Sequence, residues 1–236
     1  MSTPKYKRVL LKLSGEALSS EEAGILDFDF IAVVAQQIKK CVDAGVQVAV
    51  LVGAGNIWRG RQGTGMERCR ADHMGMLATT INSLALQDVF LRQGLAAKVM
   101  TAMEVKSFAD FYTSRDAIAA LNAGKVVILG GGSGLPFFST DTAAALRAAE
   151  IEADCLLMAK NIDAIYSADP KKDPNAVRYS DLTYREVVDQ NLRAMDMTST
   201  ILCMDNDITS YAFGLADPEN IYKAVMGEAV GTAIHN

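Results

Sequence analysis

Short apolar runs alternate with longer segments of mixed polarity along most of the chain, which has 236 residues. The short runs are rich in Val, Ile and Leu, which is typical of strands buried on both faces. Six such strands are predicted, at residues 8–13, 46–53, 97–101, 125–130, 154–158 and 208–213. The segments between them carry apolar residues at helical spacing. They predict helices at residues 29–44, 67–92, 114–123, 141–152, 183–191 and 196–206.

Strands and helices therefore follow one another almost throughout the chain. This order predicts an α/β fold with a doubly wound, mainly parallel sheet and helices on both faces. Several predicted helices close on a glycine, as at Gly45, Gly94 and Gly124, which suits a left-handed helix end. We expect a single domain over residues 1–236, with binding sites at the carboxyl ends of the strands.

Composition excludes several classes of protein. The net charge is −5, with 23 basic and 28 acidic residues, so no extended basic surface for nucleic acid is expected. Four cysteines lie far apart without C-x-x-C spacing, which favours reduced, packed thiols over a zinc site or disulfides. No apolar run approaches the length of a membrane span, and the first residues lack a secretory signal pattern. We therefore expect a cytoplasmic protein that binds neither membrane nor nucleic acid.

Glycine-rich loops follow three of the predicted strands, in the stretches LLKLSGEAL, VLVGAGNIWRG and VVILGGGSGL. Such loops let backbone N–H groups converge on an anion, and a following helix adds its positive N-terminal end. Any one of them could be a simple turn, but three at one edge of a sheet favour phosphate binding. The third loop is not a P-loop, because Leu135 stands where a P-loop has its lysine.

Basic residues lie beside the first two loops. Lys12 interrupts an otherwise apolar strand directly before Leu13, Ser14 and Gly15, which favours a role in phosphate binding over a solvent-exposed strand end. For Arg59, phosphate binding and a surface ion pair with a carboxylate are equally open.

Aspartates near these loops are candidates for magnesium or substrate contacts, since magnesium carried by a nucleotide needs only one or two carboxylates. They are Asp72, Asp141, Asp163, Asp169 and Asp196. Asp141 could equally cap a helix, and Asp169 could form a turn before Pro170. Asp72 lies inside a predicted helix, where capping explains it poorly, so a ligand contact is favoured.

Six stretches of the chain occur in an order that is specific to one family: KRVLLKLSGEAL, VGAGNIWRG, ADHMGMLATTINSLALQD, SGLPFFSTDTAAALRAAEIEAD, SADPKKDP and MGEAVGT. Together they resemble the bacterial uridylate kinases, a branch of the amino acid kinase superfamily. The resemblance implies the three-layer α/β fold of that superfamily and assembly into a homohexamer. It also implies transfer of the γ-phosphoryl group of MgATP to UMP, giving UDP and ADP in de novo pyrimidine nucleotide synthesis.

Carried over by position, the resemblance assigns residues to a donor and an acceptor. On the ATP side it implies Lys12, Leu13, Ser14, Gly15, Gly55, Arg59, Lys160, Tyr166 and Asp169. On the UMP side it implies Ala54, Asp72, Ser133, Gly134, Leu135, Pro136, Phe137, Phe138, Ser139 and Thr140. Lys12, Arg59, Asp141 and Asp196 would act on the transferred group, with magnesium bound through the nucleotide.

A few positions depart from the family. Ala54 replaces a glycine, Leu135 replaces a common asparagine, and Lys160 with Asn161 replaces a threonine–lysine pair. Gln87 and Leu91 stand where basic or histidine side chains would favour a GTP effector, so regulation by GTP or UTP does not follow from the sequence.

Two other functions stay open at this point. One is a kinase for a carboxylate, carbamate or amino acid acceptor, which would share the ATP side. The other is a catalytically silent nucleotide sensor. The second glycine-rich phosphate loop favours a nucleotide monophosphate acceptor over a carboxylate, and the charged residues named above count against a sensor. Because no covalent nucleophile stands out, we expect direct in-line transfer.

Overall fold

A nine-stranded sheet forms the centre of the protein in this computed structural model, which describes residues 3–59 and 65–236. The strands of the main sheet are β1 Arg8–Leu13, β2 Gln47–Val52, β3 Ala97–Thr101, β4 Asp110–Phe111, β5 Val126–Gly130, β6 Cys155–Lys160, β9 Asp181–Thr183, β10 Thr209–Gly214 and β11 Gly231–His235. Two short strands, β7 Ile165–Tyr166 and β8 Arg178–Tyr179, form a separate antiparallel pair. The helices are α1 Phe28–Asp43, α2 Arg68–Arg92, α3 Ser114–Asn122, α4 Thr140–Glu150, α5 Tyr184–Asp189, α6 Met197–Asp205 and α7 Glu219–Met226.

The strand order is β4-β3-β5-β2-β1-β6-β10-β11-β9. Every neighbouring pair is parallel except β10 and β11, which are antiparallel. In the centre, Leu11 of β1 lies opposite Val50 of β2 and Leu157 of β6. The predicted α/β class with a mainly parallel sheet is confirmed.

Side chains of the central strands alternate between two hydrophobic cores, one on each face of the sheet. Leu11 and Val50 pack with helices α1, α2 and α7, whereas Leu10 and Leu51 pack with α3, α4, α5 and α6. Because both faces are covered, these strands are apolar at most positions, which is why their sequences read as nearly continuous apolar runs.

Helix ends follow local chemistry that the sequence already contains. Asp27 begins α1 by accepting a hydrogen bond from the backbone N–H of Phe30. Gly45, Gly94 and Gly124 follow the last turns of α1, α2 and α3 and have φ of 89°, 77° and 75°, a left-handed conformation that glycine adopts without strain.

The six predicted strands and six predicted helices are all present, with ends shifted by one or two residues. The sequence prediction missed α7, β11 and the short strands β4, β7, β8 and β9. These elements are short, and β11 is antiparallel to its neighbour β10, so the alternation of strand and helix does not extend to them. None of the described helices combines the length and the apolar character needed to span a membrane.

The antiparallel edge carries a titratable contact. His235 on β11 contacts the carboxylate of Asp181 on β9, with 2.9 Å between Nε2 and Oδ1. The backbone carbonyl of Asn236 and then this carboxylate raise the pKa of His235. A raised pKa means that the protonated side chain is favoured in the folded state, so the stabilisation is complete below the ordinary histidine pKa of about 6.5. It is lost as the pH rises through the higher pKa of the folded protein.

We expect His235→Asn to lower the free energy of unfolding more at pH 5.5 than at pH 8.5, because only the protonated imidazole gains from Asp181. Urea unfolding at the two pH values measures this difference. His73→Asn is the matched control, since exposed His73 makes no ion pair with any residue that the structure describes. Equal losses for His235→Asn at both pH values would contradict the prediction.

Candidate functional site

Two glycine-rich loops meet backbone to backbone at the carboxyl edge of the sheet. A Cβ atom placed on Gly15 would lie 2.6 Å from the carbonyl oxygen of Gly53 and 2.7 Å from the backbone nitrogen of Gly55. One placed on Gly53 would lie 3.1 Å from the nitrogen of Gly15 and 3.8 Å from the hydroxyl oxygen of Thr140. Gly15 is therefore required because no side chain fits between the loops that follow β1 and β2.

An ion pair joins the end of β1, just before the first of these loops, to the start of α4. The Nζ atom of Lys12, near the end of β1, lies 2.8 Å from Oδ1 of Asp141, and both side chains are largely buried. The N-cap of α4 is Ser139, whose hydroxyl accepts from the backbone N–H of Thr142 at 3.0 Å. The alternative that Asp141 serves as a helix cap is thus wrong, and its carboxylate instead meets a lysine.

Lys160, at the end of β6, adds a second positive charge near Asp141. Burial alone would raise the pKa of Asp141, but the charges of Lys12 and Lys160 outweigh it and hold that pKa below its ordinary value. Burial, opposed by Asp141 and reinforced by Lys12, lowers the pKa of Lys160. The carboxylate of Asp196 also acts on Lys160 and opposes this lowering of the pKa, so two lysines and two carboxylates lie close together here.

Asp196 connects the N-termini of α4 and α6. It caps α6 by accepting from the backbone N–H of Ser199 at 2.8 Å, and it accepts from the hydroxyl of Thr142 at 3.1 Å. The Ser139 hydroxyl donates to the same carboxylate. Asp196 is therefore held in place by two helix starts, beside the loop that precedes α4.

A cavity of about 540 Å³, here called the α2 cavity, lies between α2, the loop after β2 and the loop after β5. Its wall includes most residues that the sequence assigned to the acceptor: Ala54, Asp72, Ser133, Leu135, Phe137, Phe138, Ser139 and Thr140. Gly134 and Pro136 belong to the same loop and do not contribute to that wall. Asp196 also lines the cavity, so one of the candidate catalytic carboxylates faces this space.

Asp72 holds the loop after β5 against α2. Its carboxylate accepts from the backbone N–H of Phe137 at 2.8 Å and pairs with Arg68 one helical turn away, at 2.8 Å. Phe137 has φ of 73°, a conformation that a non-glycine residue adopts only at a cost of about 1–3 kcal/mol. The guanidinium of Arg68 lies 5.5 Å from the centre of the Phe137 ring, so Arg68 and Asp72 together support this strained residue.

A second space is lined by Lys12 of the Lys12–Asp141 pair. This cavity of about 830 Å³, the β6 cavity, is lined by Lys12, Ser14, Lys160 and Asp169 among others. A neighbouring cavity of about 470 Å³, the Tyr166 cavity, shares Lys160 and Asp169 with it and adds Tyr166. The sequence assigned these five residues to the donor, and the structure brings them together.

Three further donor assignments fall elsewhere. Gly55 and Arg59 line the α2 cavity, and Arg59 pairs with Glu16. The side chain of Leu13 is fully buried in the core on the α1 face, so only its backbone is available to a ligand. Arg59 thus makes the ion pair that the sequence left open, at the rim of the α2 cavity.

Several residues of the site were missed from the sequence. Arg68 and Thr79 line the α2 cavity, and Arg193 lines both the β6 and the Tyr166 cavity. Arg68 could have been found from its i,i+4 spacing to Asp72 on a predicted helix. The sequence contains no comparable signal for Thr79 or Arg193, because their neighbours are distant in the chain.

No group of three or more His, Cys, Asp or Glu side chains that could hold a metal ion occurs in residues 3–59 and 65–236. The carboxylates that act on Lys12 and Lys160 are those of Asp141 and Asp196. This donor set suits a magnesium ion that keeps waters and phosphate oxygens as ligands and takes only one or two protein carboxylates.

Comparison with solved structures finds close matches over nearly the whole chain. The structure of UMP kinase from Bacillus anthracis has a TM-score of 0.94 and 36% sequence identity, covering 98% of this chain and 96% of that one. UMP kinase from Ureaplasma parvum has a TM-score of 0.93 and 34% identity, covering 98% of this chain and 100% of that one. Uridylate kinase from Archaeoglobus fulgidus has a TM-score of 0.74 and 31% identity, covering 96% of this chain and 99% of that one.

A family model agrees with these structural matches and with the resemblance found in the sequence motifs. The model of the amino acid kinase family matches residues 7–211, which include β1, the three glycine-rich loops, Asp141 and Asp196. The chain belongs to the amino acid kinase family.

Proposed function

We propose that this protein is a UMP kinase that transfers the γ-phosphoryl group of MgATP to UMP, giving UDP and ADP. The observation that carries the proposal is the Lys12–Asp141 pair, 2.8 Å apart. Lys12 lines the β6 cavity, while α4, which carries Asp141, begins with Thr140 at the wall of the α2 cavity. The solved UMP kinases of similar fold and sequence support the choice of UMP as the acceptor.

In this proposal ATP occupies the β6 and Tyr166 cavities. Lys12 and Lys160 provide positive charge for the donor phosphates, and the backbone N–H groups of Ser14 and Gly15 add neutral donors. Tyr166 and Asp169 border the adenosine. Arg193, which lines both cavities, is a further cation within reach of the nucleotide.

UMP occupies the α2 cavity in this proposal. The loop after β5 and the N-terminus of α4 offer backbone N–H groups and the Thr140 hydroxyl to a monophosphate, while the Ser139 hydroxyl donates to Asp196. Asp72 borders the ribose. The ring of Phe138 and the side chain of Leu135 are exposed at this wall, which gives the nucleoside an apolar surface to cover.

The transfer needs no general base, because the attacking oxygen of UMP is an already ionised phosphate oxygen. The protein contributes by aligning the two phosphates and by neutralising charge that develops between them. Lys12 is placed for this role because it lines the β6 cavity and pairs with Asp141 at the start of α4. Arg59, at the rim of the α2 cavity, supplies a second positive charge on the acceptor side.

Magnesium carried by ATP would offset the charge of the phosphates. Asp141 and Asp196 are the residues that would contact it. The lowered pKa of Asp141 keeps this carboxylate ionised at neutral pH, as a metal contact requires.

The wider setting is also part of the proposal: a cytoplasmic homohexamer that acts in de novo pyrimidine nucleotide synthesis, upstream of UTP and CTP. Exposed apolar side chains on α2, including Leu77 and Ile81, support contacts between subunits. Measurement of the particle mass in solution tests the hexamer.

Lys12→Ala is expected to lower kcat by about a hundredfold or more, by analogy with removing one preorganised electrostatic contact from a transition state. Steady-state measurement of ADP release with saturating UMP checks this. Lys39→Ala is the matched control and should leave kcat unchanged, because Asp43 is the only ion-pair partner of exposed Lys39 among the residues that the structure describes. A folded Lys12→Ala variant with near-normal turnover would disprove the role of Lys12.

Gly15→Ala is expected to lower kcat/KM for ATP by tenfold or so, because the added methyl group pushes apart loops that touch through their backbones. Overpacking of this kind costs about 1–3 kcal/mol. Gly124→Ala serves as control, since it strains a left-handed residue far from the site where a Cβ has open space. Equal kinetic effects of the two substitutions would show that general destabilisation is responsible.

A panel of acceptors distinguishes the proposed reaction from the alternatives. ADP release is expected with UMP and much less with acetylglutamate or carbamate, because only a nucleotide monophosphate offers a phosphate to the loop after β5. Less release is also expected with CMP and dTMP, an expectation that rests on the solved UMP kinases of similar fold. Turnover with acetylglutamate or carbamate instead would identify a kinase for a carboxylate or carbamate. Binding of ATP without turnover on any acceptor would identify a nucleotide sensor.

A further inference from the structure

The buried face of α2 carries a threonine whose hydroxyl contacts the loop after β5. Oγ1 of Thr79 accepts a hydrogen bond from the backbone N–H of Gly131 at 2.8 Å and donates to the carbonyl oxygen of Met76 at 2.7 Å. Thr79 is 4% exposed and lines the α2 cavity. Its only proton is used within the helix, so the N–H of Gly131 is the contact that this hydroxyl adds to the fold.

The same loop is enclosed on its other side by the chain that follows β3. A Cβ atom on Gly131 would lie 3.0 Å from the backbone nitrogen of Ala102, and one on Gly134 would lie 2.9 Å from the Ala102 carbonyl oxygen. Gly131 and Gly134 have φ of 79° and 82°, which glycine alone adopts easily. The loop therefore passes through a narrow space whose α2 side is set by the Thr79 hydroxyl.

Helix α2 also holds the neighbouring loop, the one after β2. Fully buried Asn82 donates from Nδ2 to the carbonyl oxygen of Gly53 at 2.8 Å. One turn of one helix thus contacts the two loops that border the α2 cavity, so a shift of the loop after β5 changes the width of that cavity.

We infer that Thr79 is a positioning residue for the phosphate acceptor. Its hydroxyl fixes Gly131, and thereby the path of the loop that presents Ser133, Ser139 and Thr140 to the acceptor. The inference rests on the proposed binding of UMP in the α2 cavity. Because the donor cavities are lined by other elements, the effect of Thr79 is confined to the acceptor.

The next residue provides a control from the same helix turn. Thr80 is also 4% exposed, and its hydroxyl also donates to the Met76 carbonyl oxygen, at 3.1 Å. Within the described residues, that is the one hydrogen bond its hydroxyl makes, so it makes no hydrogen bond to either loop. Replacing either threonine with valine removes one hydroxyl of equal burial from α2, whereas only Thr79→Val also leaves the N–H of Gly131 without its partner.

The experiment compares Thr79→Val, Thr79→Ser and Thr80→Val for kcat, KM for UMP, KM for ATP and the midpoint of thermal unfolding. Thr79→Val is expected to raise KM for UMP on the order of tenfold, the usual effect of leaving a buried donor unsatisfied, with KM for ATP nearly unchanged. Thr79→Ser should restore KM for UMP because it keeps the hydroxyl. Thr80→Val should lower the unfolding midpoint as Thr79→Val does and leave KM for UMP near the wild-type value.

Three results would overturn the inference: an equal rise in KM for UMP in the two valine variants, an equal rise in both KM values for Thr79→Val, or failure of serine to restore KM. If Thr79→Val does not fold, Thr79→Ala against Thr79→Ser makes the same comparison.

Asp72→Asn, measured in parallel, separates the two proposals. If it leaves KM for UMP unchanged, UMP does not bind in the α2 cavity and both proposals fail. If it raises KM for UMP while Thr79→Val matches Thr80→Val, only the role of Thr79 is wrong.

Discussion

The ion pair between Lys12 and Asp141 is the contact on which the arrangement of the site depends. A lysine in a central strand covered on both faces is costly to bury unless a carboxylate meets it. Asp141, the second residue of α4, meets that need, with its Oδ1 atom 2.8 Å from Nζ of Lys12. The pair thereby fixes the start of α4 against β1 and places the glycine-rich loop that precedes α4 beside the loop that follows β1.

Glycine has two separate functions in these loops. At Gly15 the requirement is space, because a methyl group would overlap the backbone of the neighbouring loop. At Gly131 and Gly134 the requirement is conformation, because φ is strongly positive and residues other than glycine adopt such values only with strain. Phe137 shows the cost in the same loop, since it has φ of 73° without being glycine and is held there by Asp72.

Most of the fold could be predicted because its signals are local. Buried strands are continuous apolar runs, and a glycine such as Gly45 ends a helix through its own backbone freedom. The antiparallel strand β11 was missed because the order of elements suggested only parallel crossovers. Among the site residues, Lys12 could be identified from its position in an apolar strand, whereas Arg59 was assigned to the donor and lines the α2 cavity instead.

The sequence by itself determined the α/β class, the positions of the three glycine-rich loops and the family motifs, since each depends on residues that are close in the chain. Only the tertiary structure decided which charges meet. Lys12 and Asp141 are brought together by the parallel order of the strands, and Thr79 reaches Gly131 because α2 packs against β5. Contacts of this kind depend on how whole elements pack, so no local pattern in the sequence contains them.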